Sequence, residues 1–352
     1  MANYTTVNKS TDYFDTKLYT GSGSDQTLTG LGFTPDFVWL KPRNFADNHR
    51  LINKIQWTST DSNQVSSNNN NASNDQNIIN AFTSDGYTLT TGDNGWNSST
   101  GYNYVAWNWK ANGTGASNSD GSITSTVSAD TTSGVSLVNY TGNLSSSGNS
   151  TVGHGLGVAP QAMLIKSTSN TENWGVYHKD LTANYILQLN STSAQIDTSS
   201  EGTLTAPTSS VFTVNYRGEY GNNGQNYIAY VFAPVQGFSK FGSYTGNGNT
   251  DGPFIYTGFK PAFVIIKKST GSAQDWIMID NKRGVFNTFG ERLYPNLANA
   301  EDTSGEYFDF FSNGFKVRDN VALWNNDNST YIYMAFAAAP LVGTNDIPGN
   351  AF

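Results

Sequence analysis

No cysteine occurs in the 352-residue chain, which excludes disulfides and thiolate metal centres. Charged residues make up 13 % of it, against a usual share of about 25 %, so the surface has to be built from neutral polar groups. Basic residues are scattered, the densest pairs being Lys267-Lys268 and Lys282-Arg283, and the net charge is −8. With no basic patch to neutralise phosphates, neither nucleic acid nor an anionic membrane surface is an expected partner. No apolar run approaches the roughly 20 residues that cross a bilayer as a helix, so no membrane insertion is expected. The start, Met1-Ala2-Asn3-Tyr4-Thr5, lacks the basic and apolar regions of a secretory signal, so export by the standard route is not expected. Helical periodicity is also scarce; the best candidate is the short stretch 74–82.

Gly, Ser, Thr and Asn are abundant instead, with aromatics at 13 %. Turns need Gly and Asn, and strands favour Thr, Val and aromatics, so the composition is that of β-rich extracellular and virion proteins. A secreted eukaryotic protein of this size usually carries disulfides, so a bacterial or phage source is favoured. An extracellular composition without an export signal suits a virion component released by lysis.

The chain says nearly the same thing three times, a pattern that decides the architecture. Tyr19-Thr20-Gly21, Tyr140-Thr141-Gly142 and Tyr244-Thr245-Gly246 each open a segment. Each is followed by a proline and, six residues on, a lysine at the end of an apolar run: Pro35 to Lys41, Pro160 to Lys166 and Pro261 to Lys267. A middle mark follows at Gly86-Tyr87-Thr88, Val211-Phe212-Thr213 and Gly314-Phe315-Lys316. Each segment closes on an apolar strand beginning at Tyr104, Tyr227 or Tyr331, which lie 85, 87 and 87 residues after the opening tyrosines. The closing strands are apolar at nearly every position, which predicts burial on both faces, against a partner sheet and a neighbouring repeat.

Short apolar runs bounded by Gly, Asn and Pro read as strands. The expected fold is all-β, with three tandem antiparallel β-sandwich modules of jelly-roll type. The expected boundaries are an N-terminal arm (1–18), a first module (19–112), a Ser/Thr/Gly-rich extended linker (113–134), a second module (135–236), a third (237–340) and a C-terminal tail (341–352). The Asn-rich stretch 63–77 reads as an insertion loop in the first module.

Several long motifs carry a resemblance. The Tyr-Thr-Gly openings join with Val152-Gly153-His154-Gly155-Leu156-Gly157, with Asp120-Gly121-Ser122-Ile123-Thr124-Ser125-Thr126-Val127-Ser128-Ala129, and with Asp251-Gly252-Pro253-Phe254-Ile255-Tyr256-Thr257-Gly258-Phe259. Together they resemble a family of tandem-repeat virion proteins from tailed phages of marine bacteria, including cyanophages, described as tail-fibre-like or of unknown function. Met1-Ala2-Asn3-Tyr4-Thr5-Thr6 with Phe14 and Leu18-Tyr19-Thr20-Gly21 is similar to the start of its shorter members. The resemblance implies a virion-associated β-protein and brings no catalytic residues with it.

Candidate sites are few. His49, His154 and His178 are far apart in sequence, with His49 and His178 near equivalent positions of the first two repeats, and no metal centre or other cofactor is expected. The Asp/Asn-rich loops around residues 93–94 and 325–328 offer oxygen ligands, but no calcium motif accompanies them. A glycosidase needs two facing carboxylates roughly 5–10 Å apart; Glu219 with Asp197, or Glu301, Asp302 and Glu306, are the available sets, and neither recurs between repeats. No catalytic residue is assigned. A recurring aromatic precedes each closing strand among amides: Trp96 with Asn97, Tyr220 with Asn222, and Trp324 with Asn325 and Asp327. Such a set suits glycan recognition, the ring stacking on a sugar and the amides binding its hydroxyls. The competing expectation, and the favoured one, is that these rings plug the end of each sandwich.

The function expected is therefore that of a non-enzymatic phage structural protein, a tail-fibre or exterior appendage or decoration component on the virion exterior, with a host-surface glycan as candidate ligand. Its expected partners are other virion proteins and further copies of itself, a trimer being favoured from phage symmetry. The alternatives are a bacterial carbohydrate-binding module protein and a surface polysaccharide depolymerase.

Overall fold

The computed structural model describes residues 5–342, apart from 100 and 285. The fold is all-β and its sheets are antiparallel, as the composition predicts. Each repeat builds a main sheet with one strand order: opening strand, closing strand, proline-to-lysine frame strand, then a fourth strand. The opening strands are Phe14–Thr20, Val135–Thr141 and Ser239–Thr245; the closing strands are Asn103–Trp109, Asn226–Phe232 and Thr330–Pro340. The frame strands are Phe37–Pro42, Ala162–Ser167 and Phe259–Lys268, and the fourth strands Arg50–Asn53, Gly175–His178 and Ile277–Asp280. A smaller sheet carrying the middle mark covers one face of each main sheet, with Gly86–Leu89, Val211–Asn215 or Gly314–Val317 at its heart.

The Tyr-Thr-Gly signature has a structural cause. The opening and closing tyrosines lie opposite each other and stack, with ring centroids 5.0–5.1 Å apart in Tyr19–Tyr104, Tyr140–Tyr227 and Tyr244–Tyr331. The opening hydroxyls donate to the carbonyls of Trp96, Tyr220 and Trp324 at 2.7–2.8 Å. The closing hydroxyls accept the backbone N–H of Ser98, Asn222 and Asn326. The glycine that follows lets this loop approach the opening strand: a Cβ on Gly21, Gly142 or Gly246 would lie 2.3 Å from a carbonyl oxygen of the loop. The signature therefore pins the turn before each closing strand.

The closing strands are buried on both faces, as expected. Tyr104 and Ala106 face the first repeat's own sandwich, and Val105, Trp107 and Trp109 face the opposite way. Tyr227, Ala229 and Val231 likewise face inward while Ile228, Tyr230 and Phe232 face out. The outward faces of all three main sheets meet in one central core, where Phe336 packs on Trp109 and on Phe232, each at 5.6 Å.

Around that core the repeats grip each other in a closed ring. Position 49, 174 or 276 lies one step beyond the last paired residues of the fourth strand, facing the frame lysine. The ring nitrogen there bonds a carbonyl of another repeat: His49 Nε2 to Tyr294 O (3.0 Å), Trp174 Nε1 to Ser66 O (2.9 Å) and Trp276 Nε1 to Gln188 O (3.0 Å). The lysine reaches the carbonyl four residues further along the same segment: Lys41 to Ala298, Lys166 to Asn70 and Lys267 to Thr192. The first repeat thus holds the third, the third holds the second and the second holds the first, a head-to-tail ring that closes. Burial pushes the ammonium groups down, Lys41 to about 7 and Lys166 and Lys267 to about 8.

Four expectations need correction. Residues 113–134 are not an extended linker: Ala116–Asn118 and Ser125–Asp130 form strands that widen the second main sheet to six, with Val127 paired to Val138. Residues 74–82 are not helical and run into the strand Ile79–Thr83. The stretch 63–77 is not an insertion; its bridge Leu51↔Val65 matches Val176↔Leu187 and Met278↔Leu293, and it supplies the carbonyls that the second repeat grips. Finally, residues 5–18 are not a free arm, because Phe14 packs against Trp109 at 4.9 Å in the central core. The expected tail lies outside the described residues from 343 onward.

Candidate functional site

The recurring aromatics are plugs. Trp96 and Tyr220 are buried within the cores of the first and second repeats. Trp324, 2 % exposed, packs on Tyr307 at 4.8 Å and Phe308 at 5.4 Å, under the guanidinium of Arg292. None of the three offers a ring face to a sugar, because the loop that carries it is drawn inward by the stacked tyrosines. The side-chain amides of Asn97 and Asn325 are equally committed. Asn97 accepts from Ser22 N and donates to Ser24 O and Thr90 O, and Asn325 repeats the pattern with Asn247 N, Asn249 O and Asp319 O. Asn222 supplies the backbone N–H that its own closing tyrosine accepts. Asp327 is exposed and pairs with Asn328. Replacing Trp324 with alanine should therefore destabilise the chain by about 3–5 kcal/mol, the usual cost of emptying a buried aromatic site. Urea unfolding checks this; an unchanged midpoint would return Trp324 to the list of ligand contacts.

The histidines are structural in the same sense. In each, the contacts assign the neutral form with the proton on Nε2. Nδ1 accepts from Trp39 Nε1 in His49, from Leu156 N in His154 and from Asp180 N in His178. Nε2 donates to the carbonyls of Tyr294, Thr208 and Tyr333 respectively. The register also corrects their relation: His49 corresponds to Trp174 and Trp276, whereas His178 corresponds to Asn53 and Asp280. Among the described residues no group of three His, Asp or Glu side chains could hold a metal ion.

Burial lowers all three imidazoles, His178 to about 4. The folded value lies below the unfolded one of about 6.5, so the unfolded chain binds more protons between those limits. Stability therefore rises with pH across that window and is lost as pH falls from 6.5 toward 4, by on the order of 2–3 kcal/mol for His178 alone. Denaturation at a series of pH values measures the slope, and His178→Asn, which installs the residue type of position 53, should flatten it.

Three of the candidate acidic residues, Glu219, Glu301 and Asp302, are held in ion pairs. Glu219 binds Arg217 and Gln188. Glu301 binds both Arg43 and Arg283, and Asp302 binds Arg292. Asp197 caps Ser199 N. Glu219, Glu301 and Asp302 are thereby engaged by cations, whereas Glu306 is exposed and lines a separate cleft of about 710 Å³ with Glu291.

The surface does present a groove of a different kind. A cavity of about 980 Å³ opens between the second and third repeats, beside the strands Ser239–Thr245 and Phe254–Tyr256. Phe254 and Tyr256 are 46 % and 49 % exposed, while Ile255 between them is buried, the alternation of a strand with one wet face. Phe254 is braced edge-on by Phe311 at 5.8 Å. Lys240 Nζ lies 5.2 Å from the centre of the Tyr256 ring and donates to Tyr256 O at 2.7 Å. Lys179 and Asp180 pair at 2.6 Å on the other wall. A second groove, about 650 Å³, lies between the first and second repeats and is lined by neutral groups such as Gln56, Asn63, Ser73 and Thr126.

The sequence reading missed Phe254 and Tyr256, though a signal was present. Register places Phe254 where the other repeats carry Thr27 and Thr151, since each is paired beside the middle-mark aromatic. The third repeat departs from its siblings by exposing a ring at Phe254 where they carry threonine, and a second at Tyr256 where they carry Thr29 and Gly153.

A family described as a domain of unknown function, DUF7483, matches residues 9–340. The chain belongs to this family. The match runs from before the first opening strand to the end of the last closing strand, so the unit that defines the family spans the whole ring. No curated protein matches the chain.

Proposed function

We propose that this chain is a non-enzymatic bacteriophage virion protein, a tail-fibre or exterior appendage or decoration component built of three β-sandwich modules, which attaches to host-surface glycans through the groove beside Phe254 and Tyr256. The observation that carries the glycan reading is the pair of exposed rings on one strand, set in an open groove with neighbouring hydroxyls, amides and an ammonium. Sugars are bound by such a mix: the apolar face of the ring stacks on an aromatic, and polar groups fix the hydroxyls. The virion assignment is supported by the resemblance of the repeat motifs and by a surface of neutral polar groups. Other virion proteins as partners, assembly as a homo-oligomer with a trimer favoured, and a place on the particle exterior belong to the same proposal. A ring closed within one chain gives such an assembly a three-lobed building block.

Binding of the purified protein to intact bacteria and to a glycan panel tests the reading. Phe254→Ala with Tyr256→Ala should weaken binding by about ten-fold or more, the scale of a 1.4 kcal/mol hot-spot contact. Both rings are half exposed, so the melting temperature should hardly move. Unchanged binding by the double variant would remove the groove from the account, and release of shortened sugars would favour a depolymerase.

A further inference from the structure

The groove is charged as well as aromatic. In a chain of net charge −8, its walls carry two lysines, Lys179 and Lys240, against one carboxylate, Asp180. The groove between the first and second repeats has no charged residue in its lining. The ammonium of Lys240 is held over the Tyr256 ring, 5.2 Å from its centre, by its bond to the Tyr256 carbonyl, so a ligand packed against the rest of that ring lies beside a fixed positive charge. Lys179 stands on the opposite repeat, exposed, with Asp180 as its near partner. A second anion placed in the groove would meet both ammonium groups, and Asp180 would oppose it.

The geometry points to an acidic glycan as the ligand of this groove: a uronate or sialate whose ring stacks on Tyr256 and Phe254 and whose carboxylate is bound by Lys240 and Lys179. This rests on the reading of the groove as a glycan site and adds the charge of the sugar. Ser239, Ser243 and Gln161, also in the lining, supply donors and acceptors for the hydroxyls. A carboxylate bound by an ammonium gains a charge-assisted hydrogen bond, and that gain weakens as salt screens the charges.

Calorimetric titration of the full chain with uronate and sialate oligosaccharides, each paired with its carboxyl-reduced counterpart, tests the inference. The acidic form should bind, and carboxyl reduction or Lys240→Gln should each weaken binding by about ten-fold, as expected for loss of one hydrogen bond to a charged group. Asp180→Asn should tighten binding of the acidic form by about two- to five-fold, the scale of a surface charge pair, and misfolding cannot produce such a gain. If the reduced sugars bind as well as the acidic ones, and only Tyr256→Ala weakens them, the acidic ligand is overturned while the glycan site stands. If neither form of any pair binds, both are overturned.

Discussion

Replacing Phe336 with alanine is expected to lower the stability of the entire chain by about 3–5 kcal/mol, and to do so in all three repeats together. The ring touches Phe14 and Trp109 of the first repeat at 5.5 and 5.6 Å and Phe232 of the second at 5.6 Å. Phe238, Phe241 and Phe263 of its own repeat complete the cluster at 5.9–6.4 Å. Removing a side chain from the meeting point of three sheets leaves a hole that none can close alone, because each sheet is held by its own sandwich on the other face. Urea unfolding followed by tryptophan fluorescence reads the effect, since Trp109 and Trp174 lie in this core and Trp96 lies in the first repeat's own core. One shifted transition is expected; loss of the third repeat with the others intact would contradict it.

Arg283→Met should cost a similar amount, about 3–5 kcal/mol, for an electrostatic reason. Arg283 is fully buried and joins Asp280 at 2.6 Å, Glu301 at 2.9 Å and the Met278 carbonyl at 3.1 Å. Asp280 accepts the Trp107 indole N–H of the first repeat at 3.0 Å, and Glu301 also binds Arg43 of that repeat. The guanidinium therefore neutralises a carboxylate at the junction between repeats. Without it, the buried Asp280 carboxylate loses its cation. Adding Asp280→Asn to Arg283→Met should recover most of the loss, because Asn is the residue found at the matching position 53. If the double variant is no more stable than the single one, the cost lies in packing and the electrostatic account fails.

The sequence made the repeat legible because its marks are side chains with fixed jobs. The stacked tyrosines and the loop-pinning glycine have to be the same residue types to make the same turn three times. What the lysines grip was not legible, since the acceptors are the carbonyls of Asn70, Thr192 and Ala298, and a carbonyl leaves no trace in residue identity. For the same reason residues 63–77 looked like an insertion: their service to the neighbouring repeat is rendered by backbone. The strands Ala116–Asn118, at the edge of the sheet, and Ser125–Asp130, next to it, were hidden by their Ser and Thr content, which strands with a wet face tolerate and a linker shares. The candidate site shows the complementary error. Trp96, Tyr220 and Trp324 stood out because they recur, and they recur because they are structural. Phe254 and Tyr256 stood apart from their counterparts, and it is there that the third repeat exposes rings to solvent.

The ring closed by Lys41, Lys166 and Lys267 makes the three repeats one folding unit, and differential scanning calorimetry of the wild-type chain tests this most directly. A single transition with equal calorimetric and van't Hoff enthalpies is the predicted result. Two or three resolved transitions would mean that the repeats unfold independently, and the closed ring would then be contradicted.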